Sequence, residues 1–211
     1  MQLSPATHLS QAKGPMARKK IYLAGPDVFL AEARAVGDRK RALCWDFGFE
    51  GLFPLDNDED VRGNPARIFR DNCALMQQAD VGLFNLTPFR GPSADAGTVF
   101  ELGFLFVQGK PIYGYTSAPQ RYRERVARSG PLVEQNGLRD RDGYAVEDFD
   151  LIDNLMIVRA IEDAGGVFAA VANAADGTDG DPLAAFRAFT ACLEVMRRRI
   201  LLHEIASSRT N

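Results

Sequence analysis

Two histidines, three cysteines and one tryptophan in 211 residues leave this chain short of the side chains from which many active sites are built. So little histidine disfavours an imidazole metal cage or a Ser-His-Asp triad. Cys44, Cys73 and Cys192 are widely spaced and form no CxxC pair, which fits buried, reduced thiols better than disulfides or a zinc site. No segment reaches the length of a membrane span, and the opening MQLSPATHLSQAKGPMARKK lacks the apolar stretch of a signal peptide. The expectation is a cytoplasmic protein with no membrane partner. The P-loop, GxGxxG, HExxH and GxSxG patterns are missing, which disfavours nucleoside triphosphates, dinucleotides, metals and serine nucleophiles. An excess of positive charge is missing too: 25 Lys and Arg stand against 28 Asp and Glu. That balance gives no footprint for a nucleic acid polymer, and Arg197 to Arg199 read as a solvated helix face. No metal and no cofactor are expected.

What is present is enough apolar residue, 46%, for one well-packed domain. Residues 1–17 read as a flexible tail, with Met16 as an alternative start, and 18–211 as a single domain. KIYLAG ends in Gly25-Pro26, where a buried strand gives way to a loop. A helical stretch over 31–47, a strand FEGLFPLD, a loop NDEDVRGNP, a helix from about Ala66 to Gln78, a strand ADVGLFNL, a loop TPFRGPSAD, a helix from Thr98 to Gln108 and a strand PIYGYT follow. Residues 117–150 read as an irregular surface excursion or lid. LIDNLMIVRAIEDAG is read as a helix, VFAAVA as a short final strand, and Leu183 to about Ile205 as a last amphipathic helix. Strands alternating with helices imply an α/β fold, a parallel sheet covered on both faces, with ligands at the carboxyl ends of its strands.

The stretch SADAGTVFELGFLFVQGK places one carboxylate, Glu101, in a helix that is otherwise apolar nearly all round, which is the pattern of a buried helix. Burying an unpartnered carboxylate costs several kcal/mol, so Glu101 has either a structural or a chemical task. The structural one is a capping box, with Thr98 as cap and Glu101 reaching back three residues. The chemical one is a nucleophile in the first helical turn, kept ionised by the positive end of the helix dipole. Asp95, Gly91 and Gly97 lie just ahead, Asp71 and Asn72 in the preceding helix, and Asp56, Asn57 and Asp58 after another strand. Carboxylates without metal ligands point towards glycosyl chemistry, in which one attacks an anomeric carbon while another group protonates the leaving group.

KIYLAGPDVF, GLFPLDN, NLTPFRGPSADAGTVFELGF and DNLM together resemble the nucleoside 2-deoxyribosyltransferase family, from about Lys20 to the final helix. The resemblance implies a flavodoxin-like (Rossmann-like) doubly wound sheet of about five mostly parallel strands, with helices on both faces. It implies exchange of the base of a 2′-deoxynucleoside for a free nucleobase, without cofactor, through a deoxyribosyl ester on Glu101. Tyr22 would orient the nucleophile. Asp95 would hold the sugar 5′-hydroxyl, and an aspartate there favours a nucleoside over its phosphate. Asn154 and Met156 would complete the neighbouring subunit's site in a homo-oligomer; otherwise Asp153 or Asn154 is an ordinary helix cap. Asn72 stands where lactobacillal members carry the aspartate proposed to protonate the base, and asparagine cannot act as a general acid. Asp71 or Asp58 would then take that role, or hydrogen bonds alone would. Phe29 would form a wall for the base, with Asp56 and Gly97 also lining the substrate site. The alternatives are an N-glycosidase using water as acceptor and a non-catalytic nucleoside-binding module.

Overall fold

A computed structural model of the chain describes residues 17–55, 63–170 and 182–208, with side chains in the last of these segments described over 185–199. The elements in order are β1 (Lys20–Ala24), a 3-10 turn (Pro26–Phe29), α1 (Ala33–Asp46), β2 (Glu50–Leu52), α2 (Pro65–Gln78), β3 (Val81–Asn85), α3 (Ala96–Val107) and β4 (Ile112–Thr116). There follow α4 (Tyr122–Ala127), a small hairpin of β5 (Val133–Glu134) and β6 (Leu138–Arg139), α5 (Leu155–Asp163), β7 (Phe168–Ala170) and α6 (Pro182–Ser208). Five strands form one sheet in the order β2-β1-β3-β4-β7, every pairing parallel. This is the flavodoxin-like arrangement, in which the chain leaves β1 in one direction for β2 and returns on its other side as β3. The crevice between the carboxyl ends of β1 and β3 is where such sheets place ligands.

The strands are apolar on both faces because both faces are covered, so they show short continuous runs instead of polar alternation. Ile21, Leu23, Leu83, Tyr113 and Tyr115 pack against Cys44 of α1 and Phe189, Cys192 and Met196 of α6. Their neighbours one position along, Tyr22, Ala24, Phe84 and Ile112, pack on the opposite face against Met76 of α2, Leu102 and Leu105 of α3, and Ile157 and Ile161 of α5. Cys44 and Cys192 are buried free thiols, while Cys73 is half-buried. Gly166 enters β7 so close to β4 that a Cβ there would lie 1.5 Å from the Ile112 carbonyl oxygen; no other residue fits.

Two helix starts differ from the sequence expectation. Helix α3 begins at Ala96, capped by Asp95, whose Oδ2 accepts from the Thr98 amide at 2.9 Å and the Thr98 hydroxyl at 3.1 Å. The Thr98–Glu101 capping box does not form: an aspartate three residues ahead is the stronger cap, and Glu101 lies in the second turn with its carboxylate turned elsewhere. Nor is α3 buried all round. Leu102 and Leu105 are buried, but Phe100, which touches Phe69 of α2, is 53% and Val107 81% exposed. Helix α5 begins at Leu155, with Leu151 to Asn154 ahead of it. The excursion over 117–150 contains α4 and the β5–β6 hairpin, packed at the start of α5 through Glu147.

Candidate active site

Three elements meet at Glu101. Tyr22, wholly buried in the middle of β1, points to the α2/α3 side and donates its hydroxyl to Glu101 Oε1 at 2.7 Å. Asn72 of α2 offers its amide nitrogen to the same oxygen at 3.5 Å, while its own Oδ1 is buried with no hydrogen-bond partner. An unpaired buried acceptor is costly, so a donor supplied by a bound molecule would be favoured there. Among the described residues Glu101 therefore has neutral donors and no cation. Burial pushes its carboxyl up to about 7, the Tyr22 hydroxyl pulls it back, and the Asp95 charge adds to the rise. This corrects the expectation that the helix dipole keeps Glu101 firmly ionised: its second-turn position puts it beyond the strongest part of that field. Burial, with Glu101 beside it, raises Tyr22 in turn, so the phenol keeps its proton and acts as the donor.

The loop between β3 and α3 forms the rim. Asp95 is half-buried, and both of its hydrogen bonds to protein use Oδ2. Gly97 is exposed, and a Cβ there would lie 3.1 Å from Asp95 Oδ2. Phe29 stacks on Phe89 with ring centroids 5.1 Å apart and planes 9° from parallel, and the Arg90 guanidinium lies over both rings. Gly25, at φ 149°, turns the chain out of β1; a Cβ there would meet Asn85 Cβ at 2.5 Å.

The family model described as nucleoside 2-deoxyribosyltransferase matches residues 21–156, a span holding Tyr22, Asn72, Asp95 and Glu101. The chain belongs to this family. An uncharacterized protein of Schizosaccharomyces pombe, C191.05c, is 32% identical over 168 residues, covering 71% of this chain and 80% of that one. Among solved structures, the 2-desoxiribosyltransferase from Leishmania mexicana is 29% identical with a TM-score of 0.56, covering 82% of this chain and 97% of its own.

The family's remaining sequence candidates are distributed unevenly. Asp71 lies 3.6 Å from Arg67 one helical turn back, and Asn72 is the α2 residue within reach of Glu101. Asp56 and Asp58 lie outside the described residues. Asn154 caps α5: its Oδ1 accepts from the Met156 amide at 3.0 Å, and its Nδ2 donates to Glu147 Oε1 at 2.7 Å. Met156 is 72% exposed. Among the described residues no group of three or more His, Cys, Asp or Glu is arranged to hold a metal, and no helix is long and apolar enough to cross a membrane.

Sequence reasoning missed two polar networks. Lys40 donates to Asp27 Oδ2 at 2.6 Å, and Asn85 donates to the same oxygen at 3.0 Å, all three buried on the α1/α6 face. The signal was present: Ala33, Gly37, Lys40 and Cys44 follow helical spacing on the inward face of α1. A cleft of about 230 Å³ opens above this pair, lined by Phe29, Val36, Phe89 and Phe186, and Glu101 and Asp95 are not among its walls. This apolar cleft is thus separate from the place where Glu101 sits. The second network joins Arg125, Asp153 and Ser93, and no local pattern in the sequence announces it.

Proposed function

We propose that the protein is a deoxyribosyltransferase of nucleoside salvage, with Glu101 as nucleophile. The observation that carries this reading is the 2.7 Å bond from Tyr22 to a half-buried Glu101 that no cation among the described residues pairs with, within the family-matched span. Glu101 attacks C1′ of a 2′-deoxynucleoside; the C1′–N bond breaks and its electron pair leaves with the base, while a new C1′–O bond makes a deoxyribosyl ester. An acceptor base then attacks C1′ through nitrogen and gives up its N–H proton, the ester bond breaks, the carboxylate is restored, and the base that left as an anion takes up a proton from solvent. The transition state carries positive charge on the sugar, which an adjacent carboxylate stabilises, and Tyr22 fixes that carboxylate's orientation.

Asn72 cannot serve as a general acid, and Asp71 is turned to Arg67. Departure of the base is therefore assigned to hydrogen bonding without a general acid, while the Asn72 amide, 3.5 Å from Glu101 Oε1, helps to orient the nucleophile. Asp95, with Oδ1 making no hydrogen bond to protein, is assigned to the 5′-hydroxyl, and its charge disfavours a 5′-phosphate. Phe29 supplies a flat apolar wall for the base. We further propose that residues 18–211 act as one cytoplasmic domain that works as a homo-oligomer. Exposed Met156 at the start of α5, and the exposed aromatic cluster of Phe69 and Phe100, support that assembly. Deoxyinosine incubated with and without adenine tests the chemistry. Deoxyadenosine is the expected product; free deoxyribose alone makes the protein a hydrolase, and unchanged nucleoside with measurable binding makes it a binding module.

A further inference from the structure

The loop that carries Asp95 is held from beneath by buried charge. Asp153, 1% exposed, and Arg125, 4% exposed, approach to 3.1 Å. Arg125 also donates to the Pro92 carbonyl at 2.6 Å and the Gln120 carbonyl at 2.7 Å. The Asp153 carboxylate accepts from the Ser93 hydroxyl at 2.5 Å, from the Asn154 amide at 2.7 Å and from the Ala94 amide. Three consecutive residues, Pro92, Ser93 and Ala94, are thus tied to this pair immediately before Asp95.

The same loop contains Arg90 at φ 56°, a conformation non-glycine residues adopt at a cost and keep only where the surroundings impose it. Its other closure is one bond, from the Phe89 amide to the Ser93 carbonyl at 3.1 Å. A buried ion pair adds little net stability compared with well-packed apolar residues, so its place under a strained loop calls for another explanation.

We propose that Asp153, with Arg125 and Ser93, is a positioning device that sets Asp95 and thereby the recognition of the substrate's 5′-hydroxyl. It acts through Asp95 and touches neither the sugar nor Glu101. The inference rests on the proposed role of Asp95, and the experiment separates the two. Ser93→Ala removes one donor and keeps the ion pair; Asp153→Asn removes the charge; Arg125→Lys keeps a charge but not the planar group that spans three partners. KM and kcat are measured for a 2′-deoxynucleoside and its 2′,5′-dideoxy counterpart, together with hydrogen exchange of the Thr98 amide that Asp95 caps.

The expected result is a KM raised about threefold by Ser93→Ala and about tenfold by Asp153→Asn for the 5′-hydroxyl substrate, since charged groups make the stronger bonds. KM for the dideoxy substrate stays within twofold, kcat changes little, and Thr98 exchange accelerates. Should Asp153→Asn or Arg125→Lys fail to fold, Ser93→Ala decides alone. Unchanged Thr98 exchange, or a parallel loss with both substrates, overturns the positioning role. If the wild type does not distinguish the two substrates while Thr98 exchange still accelerates in Ser93→Ala, the positioning stands and the reading of Asp95 as the 5′-hydroxyl acid falls.

Discussion

The sheet holds a carboxylate beyond each face of its carboxyl edge, Asp27 buried and Glu101 half-buried, and the two are solvated differently. On the α1/α6 face, Asp27 Oδ2 receives a lysine ammonium at 2.6 Å and an asparagine amide at 3.0 Å. On the α2/α3/α5 face, Glu101 receives one phenol at 2.7 Å and one distant amide. Asp27 is neutralised by its partners and stays structural. Glu101 is oriented without a paired cation among the described residues, which under the proposed mechanism leaves it free to stabilise positive charge on the sugar. The comparison separates the two acids by their partners: among the described residues one is paired with a cation and the other is not.

The strongest way to break the comparison is at Glu101. Glu101→Ala is expected to lower transfer by at least about 10³-fold, because the covalent step has no replacement. Glu101→Gln keeps an acceptor for Tyr22 and is expected to lose nearly as much activity while gaining stability. The sign follows from the raised carboxyl: between its ordinary 4.5 and about 7 the folded state holds a proton that the unfolded state has released, so stability falls as pH rises through that window. Urea unfolding at pH 8 should show Glu101→Gln more stable by about 1–3 kcal/mol, with the gain vanishing below pH 4.5. A wild-type rate with Glu101→Ala ends the assignment.

On the other face the outcome inverts. Asp27→Ala strands a buried ammonium and is expected to cost about 3–5 kcal/mol in urea unfolding. Activity per folded molecule should change by less than about threefold, a bound set well below the 10²-fold typical of lost chemical groups. A larger loss in a folded sample would carry the chemistry across the sheet.

Tyr22→Phe sharpens the contrast. Wild-type kcat/KM should fall on the acid side of about pH 7 as Glu101 protonates. Removing the phenol removes the bond that lowers the Glu101 carboxyl, so that limb should move to higher pH, with a loss of about 10–100-fold at neutrality. An unmoved limb means Tyr22 does not tune Glu101. The smallest effect is expected from a chain begun at Met16, whose activity and melting temperature should match the full chain within error. A lower Tm would mean that the removed residues dock on the fold.

The sheet was legible because each central strand is a short apolar run ending in Gly-Pro or a polar residue, and parallel order follows from the helices between them. Glu101 was legible as a charge in the wrong company, and Tyr22 through the family motif. What escaped was settled by competition or distance. Asp95 displaced Thr98 as cap because an ionised acceptor outbids a hydroxyl, a choice that spacing alone leaves open. Asn154 was weighed as cap and as partner-reaching residue; within the chain it caps α5. Asp71 and Asn72 are adjacent in sequence, and only the helical turn decides which faces Glu101. Lys40 could have been found by its period. Arg125 and Asp153 could not, since nothing local pairs an arginine of one segment with an aspartate 28 positions on, under a loop formed earlier still.

The distances along the chain also set when the loop before Asp95 can be tied down. Glu101 follows Tyr22 by 79 positions, and Asp153 follows Ser93 by 60. At about 5–20 residues per second, a ribosome needs about 3–12 s to pass from the loop to the carboxylate that ties it down. Throughout that interval Tyr22 and Glu101 have been synthesised but the carboxylate that ties down the loop has not; it arrives when nearly three quarters of the chain has been made.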